Sequence, residues 1–210
     1  MAITGLLLCG FLVVHLGGNL LLYTSDPAEN SAYNEYAHGI HAPKMAPLLL
    51  LAEIGLLVLF VMHLYLAWRL TRENETARPI GYAMKQSKMP PSMMAYPAST
   101  VMGITGLIIL LFIILHLIDF KFEWRPDINL EKHNPFEKAV ALLRNPISCI
   151  TYIVGSIVLG YHLVHGFQSA FQSLGLNHPK YTPFIKWVSV VFGIAIGAGF
   201  ASFPLWAIMK

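Results

Sequence analysis

Four histidines lie inside long apolar stretches of the chain, one in each of four separate stretches: His15, His63, His116 and His162. An ionisable side chain in the hydrocarbon core of a membrane is costly and needs a partner. A single histidine of this kind is commonly a hydrogen-bonded helix contact or a member of a proton relay. Four of them, one per stretch, indicate a shared role, and neutral imidazole is a standard axial ligand of haem iron.

The depths of these histidines predict two pairs. The first and third stretches share a frame in which a Thr-Gly pair begins eleven residues before the histidine: Thr4-Gly5 with His15, and Thr105-Gly106 with His116. Neighbouring spans run in opposite directions, and a helix rises about 1.5 Å per residue. His15 and His116 then lie roughly 20 and 27 Å from one membrane surface, and His63 and His162 roughly 10 and 15 Å from it. An outer and an inner pair are what two stacked bis-histidine haems need.

Composition defines the environment of these histidines. The chain of 210 residues is 56% hydrophobic and 12% charged, and its mean hydropathy is +0.59. Charged residues make up about a quarter of a soluble domain. The net charge of +3 is small and scattered, so nucleic acid is not an expected partner. Cys9 and Cys149 stand alone and no Cys-x-x-Cys-His is present, which disfavours c-type haem and a disulfide framework.

Five apolar runs reach the length of about 20 residues that a helix needs to span a bilayer. The first run lacks a basic region and a cleavage site, so we expect it to be retained. The sequence predicts an all-α integral membrane protein, a single membrane domain over 1–210 with four of its five spans forming a haem-binding bundle. We expect a short interfacial helix at 33–38, a solvated, structured loop at 121–145, and close helix contact at Gly193 and Gly197. The predicted spans are 2–23, 46–70, 98–120, 146–171 and 184–208.

Orientation follows from lysine and arginine in the connections. Seven basic residues fall on each side, but five of them cluster in the second connection. This cluster favours a cytoplasmic N-terminus in a multi-pass protein of the cytoplasmic (inner) membrane. Haem propionates need donors near a membrane surface, and position alone makes Arg69, Lys85 and Lys88 candidates.

Two further ionisable residues of the spans have more than one interpretation. His165 follows His162 by three residues, on a neighbouring helical face. It is a ligand in place of His162, a contact of a propionate or quinone, or a packed helix residue; we favour a role other than ligand. Glu53 either faces the interface or handles protons in a buried position.

The chain resembles the di-haem cytochrome b membrane anchor of the succinate dehydrogenase and quinol:fumarate reductase family. The resemblance covers nearly the whole chain, and its His-x-x-x-Gly frame falls on His162 and Gly166, which supports His162 over His165. The matching segments are Thr4-Gly5…His15-Leu-Gly-Gly-Asn19, His63-Leu-Tyr-Leu-Ala-Trp-Arg69, Ala77-Arg78-Pro79, Thr105-Gly106…His116 and His162-x-x-His165-Gly166 running to Leu174-Gly175.

The resemblance implies two b haems, one held by His15 and His116 and the other by His63 and His162. It also implies a flavoprotein subunit and an iron–sulfur subunit docked on the inner face, and menaquinone or another quinone as the substrate. Some menaquinol-oxidising relatives carry a glutamate where this chain has Gly160, so a transmembrane proton path of that design is not expected. Glu35 and His38 are then the candidate catalytic residues, as proton acceptors beside an outer quinone site.

Two alternatives stay open at this stage. One is the di-haem cytochrome b subunit of a hydrogenase or formate dehydrogenase, which keeps the haems and changes the partner. The other is a haem-free transporter with a histidine relay. The chain has no flavin or iron–sulfur motif, so we expect an electron-transfer subunit whose dicarboxylate chemistry resides on partner subunits. Neither the direction of catalysis nor the quinone species follows from the sequence.

Overall fold

The computed structural model describes residues 1–77, 98–128, 130 and 133–210. These residues form α-helices and two short 3-10 turns, at Leu21–Thr24 and Pro43–Met45, and contain no strand. The helices of the described residues are α1 (Ala2–Leu20), α2 (Ala32–Ile40), α3 (Ala46–Ala77), α4 (Ala98–Phe120), α5 (Pro135–Arg144), α6 (Pro146–Ser173) and α7 (Thr182–Met209).

Five of these helices, α1, α3, α4, α6 and α7, are long and apolar enough to cross a membrane. The all-helical, multi-pass character expected from the apolar runs is therefore confirmed. α3 continues to Ala77, seven residues past its predicted end at 70. Arg69 donates to Glu73 at 2.8 Å, one turn further on, and such i,i+4 pairs support a helix after its apolar run has ended.

α6 and α7 pack with their backbones in contact through three glycines. A Cβ added at Gly160 would lie 2.7 Å from the carbonyl oxygen of Gly193, and one added at Gly197 would lie 3.0 Å from the Cα of Gly160. Small residues at a helix crossing allow this approach inside a membrane. The close contact predicted at Gly193 and Gly197 is confirmed, and Gly160 on α6 is its other half.

α2 and α5 cover one end of the bundle, and α5 corrects the predicted solvated loop at 121–145. A capping box of Asn134 and Glu137 begins α5, and this reciprocal pair satisfies two free N–H groups. The helix buries an apolar face that includes Phe136 and Leu143. Asn34 of α2 is fully buried and accepts from the Phe136 N–H at 2.9 Å. The predicted interfacial helix at 33–38 lies within α2.

α3 stands apart from the other spans. No residue of α3 is buried, and it packs chiefly on α1. Two polar contacts tie it to its neighbours: Thr4 of α1 with His63, and Lys121, just after α4, with Glu53. Lipid tails are as apolar as leucine side chains, so the exposed apolar surface of α3 suits a bilayer or a cofactor.

Candidate functional site: paired histidines at two levels

The structure brings His15 of α1 and His116 of α4 together toward the end of the bundle that α2 and α5 cover, the level named outer above. Their ring centroids lie 5.8 Å apart with the rings nearly perpendicular, at 85°. Phe11 stacks on His15 at 5.2 Å, and Phe120 lies 5.3 Å from His116. His116 Nδ1 is buried with no hydrogen-bond partner. A buried polar atom without a partner is costly and calls for an explanation.

His63 of α3 and His162 of α6 form the inner pair, and each has a threonine partner. Thr4 Oγ1 lies 3.2 Å from His63 Nδ1, and Thr105 Oγ1 lies 3.0 Å from His162 Nδ1. Because Thr4 and Thr105 occupy the same position in the shared frame of α1 and α4, the two histidines lie at the same level. The glycines that follow the threonines lie beside the rings, since a Cβ at Gly5 would be 3.5 Å from His63 Cε1 and one at Gly106 would be 3.7 Å from His162 Cε1.

Helices α1 and α4 determine the axial distance between the inner and the outer histidine pair. On both α1 and α4, the threonine at the inner level precedes the histidine at the outer level by eleven residues. At 1.5 Å per residue the two levels are about 16 Å apart along the helix axis. The bundle therefore holds two separate histidine pairs.

A pair of histidines at each level is the donor set that haem b would need. Haem iron takes its axial ligands from a histidine pair, whereas a metal held by side chains alone takes three or four. Among the described residues, no three His, Cys, Asp or Glu are grouped as such a site would require. A groove of about 380 Å³ between α1 and α3 has an apolar lining that includes Leu7, Phe11 and Leu56, and none of the four histidines lines it. The orphaned Nδ1 of His116 lies at the outer level.

A buried polar network lies beside the outer pair, and sequence reasoning missed it. Arg125 donates from Nη1 to Asp119 at 2.9 Å and to Ser148 at 2.8 Å. Tyr152 donates to the second oxygen of Asp119 at 2.9 Å, and its ring lies 5.9 Å from that of His116. Asp119 is 5% exposed, so its charge depends on these donors.

The outer edge of this network reaches solvent through Asp127. Arg125 donates from Nε and Nη2 to the two carboxylate oxygens of Asp127, both at 2.8 Å. This bidentate pair lowers the pKa of Asp127 and raises the pKa of Arg125. Arg125 thus joins a solvent-facing carboxylate to a buried one. Asp119 follows His116 by three residues, about one helical turn, and that spacing was the available signal.

The remaining candidate residues lie nearer the surfaces. Glu35 and His38 are exposed on α2, and His38 Nε2 lies 3.6 Å from the carboxylate of Glu29. Arg69 is exposed and paired with Glu73, while Lys85 and Lys88 lie outside the described residues. These positions leave their predicted roles as proton acceptors and propionate donors untested.

Glu53 and His165 now have defined surroundings. Glu53 forms an ion pair with Lys121 and lines the groove between α1 and α3. The ring of His165 packs edge-on against Tyr161 at 5.1 Å, and its Nε2 is buried without a hydrogen-bond partner. His162, by contrast, is paired with Thr105 at the inner level.

No protein-family model, curated protein or solved structure matches this chain. The fold and the site therefore define its class by themselves. The described residues form a helical protein with five helices long and apolar enough to span a membrane, and four of those helices carry histidines at two levels.

Proposed function

We propose that the chain is the haem b membrane anchor of a succinate:quinone oxidoreductase or quinol:fumarate reductase. The observation that carries the proposal is the grouping of four histidines from four spans into two pairs about 16 Å apart in depth. One-electron transfer is the chemistry that bound haem supplies, here between an iron–sulfur subunit and menaquinone or another quinone.

Each histidine has a defined task in this proposal. His15 and His116 hold the outer haem, within walls formed by Phe11, Phe112, Phe120 and Phe200. His63 and His162 hold the inner one. Apolar walls exclude water, and burial of this kind is one of the means by which a protein tunes haem.

The surface residues complete the proposal. Arg69, Lys85 and Lys88 are the candidate donors to propionates at the inner surface. Glu35 and His38, on the exposed side of α2, are the candidate proton acceptors for a quinone at the outer surface. The flavoprotein and iron–sulfur subunits, which carry the dicarboxylate chemistry, dock on the inner face.

The separation of the two levels bears on the transporter alternative. A histidine proton relay needs donors and acceptors within hydrogen-bond reach, directly or through water. About 16 Å between the pairs is much longer than one such step. The di-haem cytochrome b of a hydrogenase or formate dehydrogenase would use the same histidine pairs, so it is distinguished by its partner subunits.

Purification of the tagged chain from native membranes in mild detergent tests the proposal. We expect a flavoprotein and an iron–sulfur protein to co-purify, and succinate or a quinol to reduce the b-haem absorption bands. A nickel or molybdenum protein in their place would favour the hydrogenase or formate dehydrogenase alternative. A well-folded, colourless preparation would contradict both haem proposals.

A further inference from the structure

We infer that Thr4 and Thr105 are positioning residues that fix the tautomer of the inner histidines and so select Nε2 as the nitrogen that binds iron. The inference rests on the proposed haem function. It concerns two hydroxyl groups, one on α1 and one on α4, that have no assigned role in the proposal above.

The direction of each threonine–histidine hydrogen bond follows from counting hydrogens. Thr4 Oγ1 donates to the carbonyl of Met1 at 2.9 Å. Thr105 Oγ1 lies 3.1 Å from the carbonyl of Val101 and 3.2 Å from that of Met102. A hydroxyl has one hydrogen and two lone pairs. With that hydrogen directed to a helix carbonyl, a lone pair of the hydroxyl oxygen is left to accept from the histidine ring.

The direction of the hydrogen bond determines the tautomer of the His63 and His162 rings. If the threonine oxygen accepts, Nδ1 of His63 and of His162 must carry the hydrogen. In a neutral imidazole the other nitrogen, Nε2, then has the free lone pair. Which ring nitrogen binds a metal is set by the hydrogen bond that the other makes.

The same hydrogen bond changes the basicity of the histidine that would bind iron. A hydrogen bond from Nδ1–H to an acceptor fixes the orientation of a metal-binding ring and raises its basicity. A more basic ligand favours the higher oxidation state of the metal. The two threonines should therefore lower the midpoint potential of the inner haem.

The threonine–histidine contact occurs twice, once between α1 and α3 and once between α4 and α6. Thr4 of α1 contacts His63 of α3, 59 residues later, and Thr105 of α4 contacts His162 of α6, 57 residues later. The repeated Thr-Gly frame thus serves both levels: its threonine supports the inner pair, and the histidine eleven residues on belongs to the outer pair. His116 at the outer level has no such acceptor for its Nδ1.

Redox titration of the intact complex, followed in the b-haem absorption bands, tests the inference. Thr105→Val keeps the shape of the side chain and removes the hydroxyl, while Thr105→Ser keeps the hydroxyl. We expect Thr105→Val to raise the midpoint potential of the inner haem, or to lose that haem, and Thr105→Ser to restore it. Thr4→Val and Thr4→Ser should repeat the pattern, and the outer haem should keep its potential throughout.

Thr151→Val is the matched control, because this half-buried threonine on α6 donates its hydroxyl to the Ile147 carbonyl at 2.8 Å, as Thr4 and Thr105 donate theirs to helix carbonyls. Its potentials should equal those of the wild type. An unchanged potential in both valine variants, an equal shift of both haems, or a serine variant as defective as the valine one would overturn the inference. Absence of haem from the wild-type complex would instead contradict the proposed function, so the two failures are distinguishable.

Discussion

At the scale of single residues, the environment of each histidine determines what its ring nitrogens can do. The inner rings are held by threonine hydroxyls, whereas the outer rings lie among aromatic side chains. Asp119 and Tyr152 add a charged, hydrogen-bonded group about one turn from His116. The two levels therefore offer different surroundings to chemically similar ligands.

The ligand assignment predicts the effect of removing one histidine. His63→Ala deletes one side of the inner pair and leaves His15 and His116 in place, so we expect loss of the inner haem with most of the outer one retained. Haem content and the potentials of the remaining absorption bands measure the result. His165→Ala is the matched control, three residues from His162, and should keep both haems. Equal loss of both haems in His63→Ala would show that the pairing is wrong or that both haems are required for assembly.

The Asp119 network predicts a large change in stability. Asp119→Ala removes the buried partner of Arg125 and of the Tyr152 hydroxyl, while Arg125 keeps its pair with Asp127. The cost should therefore fall below the roughly 3–5 kcal/mol of a buried charge left wholly unpaired. The midpoint of thermal unfolding in detergent should fall accordingly. Glu73→Ala, which breaks the exposed pair with Arg69, should leave the midpoint nearly unchanged because exposed ion pairs contribute little. Equal midpoints for the two variants would contradict the account of the network.

At the scale of elements, the crossing of α6 and α7 depends on the absence of side chains at Gly160, Gly193 and Gly197. If the proposed family assignment holds, Gly160 occupies the position at which some menaquinol-oxidising members carry glutamate. Any side chain at Gly160 meets the backbone of α7. A glutamate at this position would require α7 to move away.

This crossing predicts that Gly160→Ala destabilises the bundle. The added Cβ would lie 2.7 Å from the Gly193 carbonyl oxygen, so the two helices must separate and lose contacts. The thermal midpoint of the detergent-solubilised protein should fall. Gly103→Ala on α4, where an added Cβ meets nothing within 4 Å, is the control and should unfold at or above the wild-type midpoint. A Gly160→Ala midpoint equal to that of the control would rule out tight packing at this crossing.

The five helices long enough to span a membrane were predictable from the sequence, because apolar runs of about 20 residues are compatible with few structures other than a membrane-spanning helix. α5 was missed because it is short and because basic and acidic residues nearly balance over 121–145, which contains it. Asn134, Pro135 and Glu137 nevertheless form a recognisable helix start. The contact of Tyr152 with Asp119 depends on how α4 and α6 are rotated against each other, which no single-helix pattern specifies. The threonine–histidine contacts were hidden for the same reason, even though the repeated Thr-Gly frame was visible.

At the scale of the whole molecule, α2 and α5 lie at one end of the bundle and the C-terminal end of α3 lies at the other. The basic cluster predicts that this second end is cytoplasmic. Asn30→Cys, in the exposed connection before α2, should react with a membrane-impermeant maleimide in intact cells. Glu75→Cys, exposed near the end of α3, should react only after the membrane is opened. The reverse labelling would mean that the orientation is inverted, with the histidine pairs unchanged.

The most direct test of the central claim is the number of haems per chain. Pyridine haemochrome quantification of the purified protein, set against its protein concentration, gives that number without any assumption about partner subunits. Two pairs of histidines at two levels predict two b haems per chain. A value of one would make one pair structural, and a value of zero in a well-folded preparation would contradict the electron-transfer account.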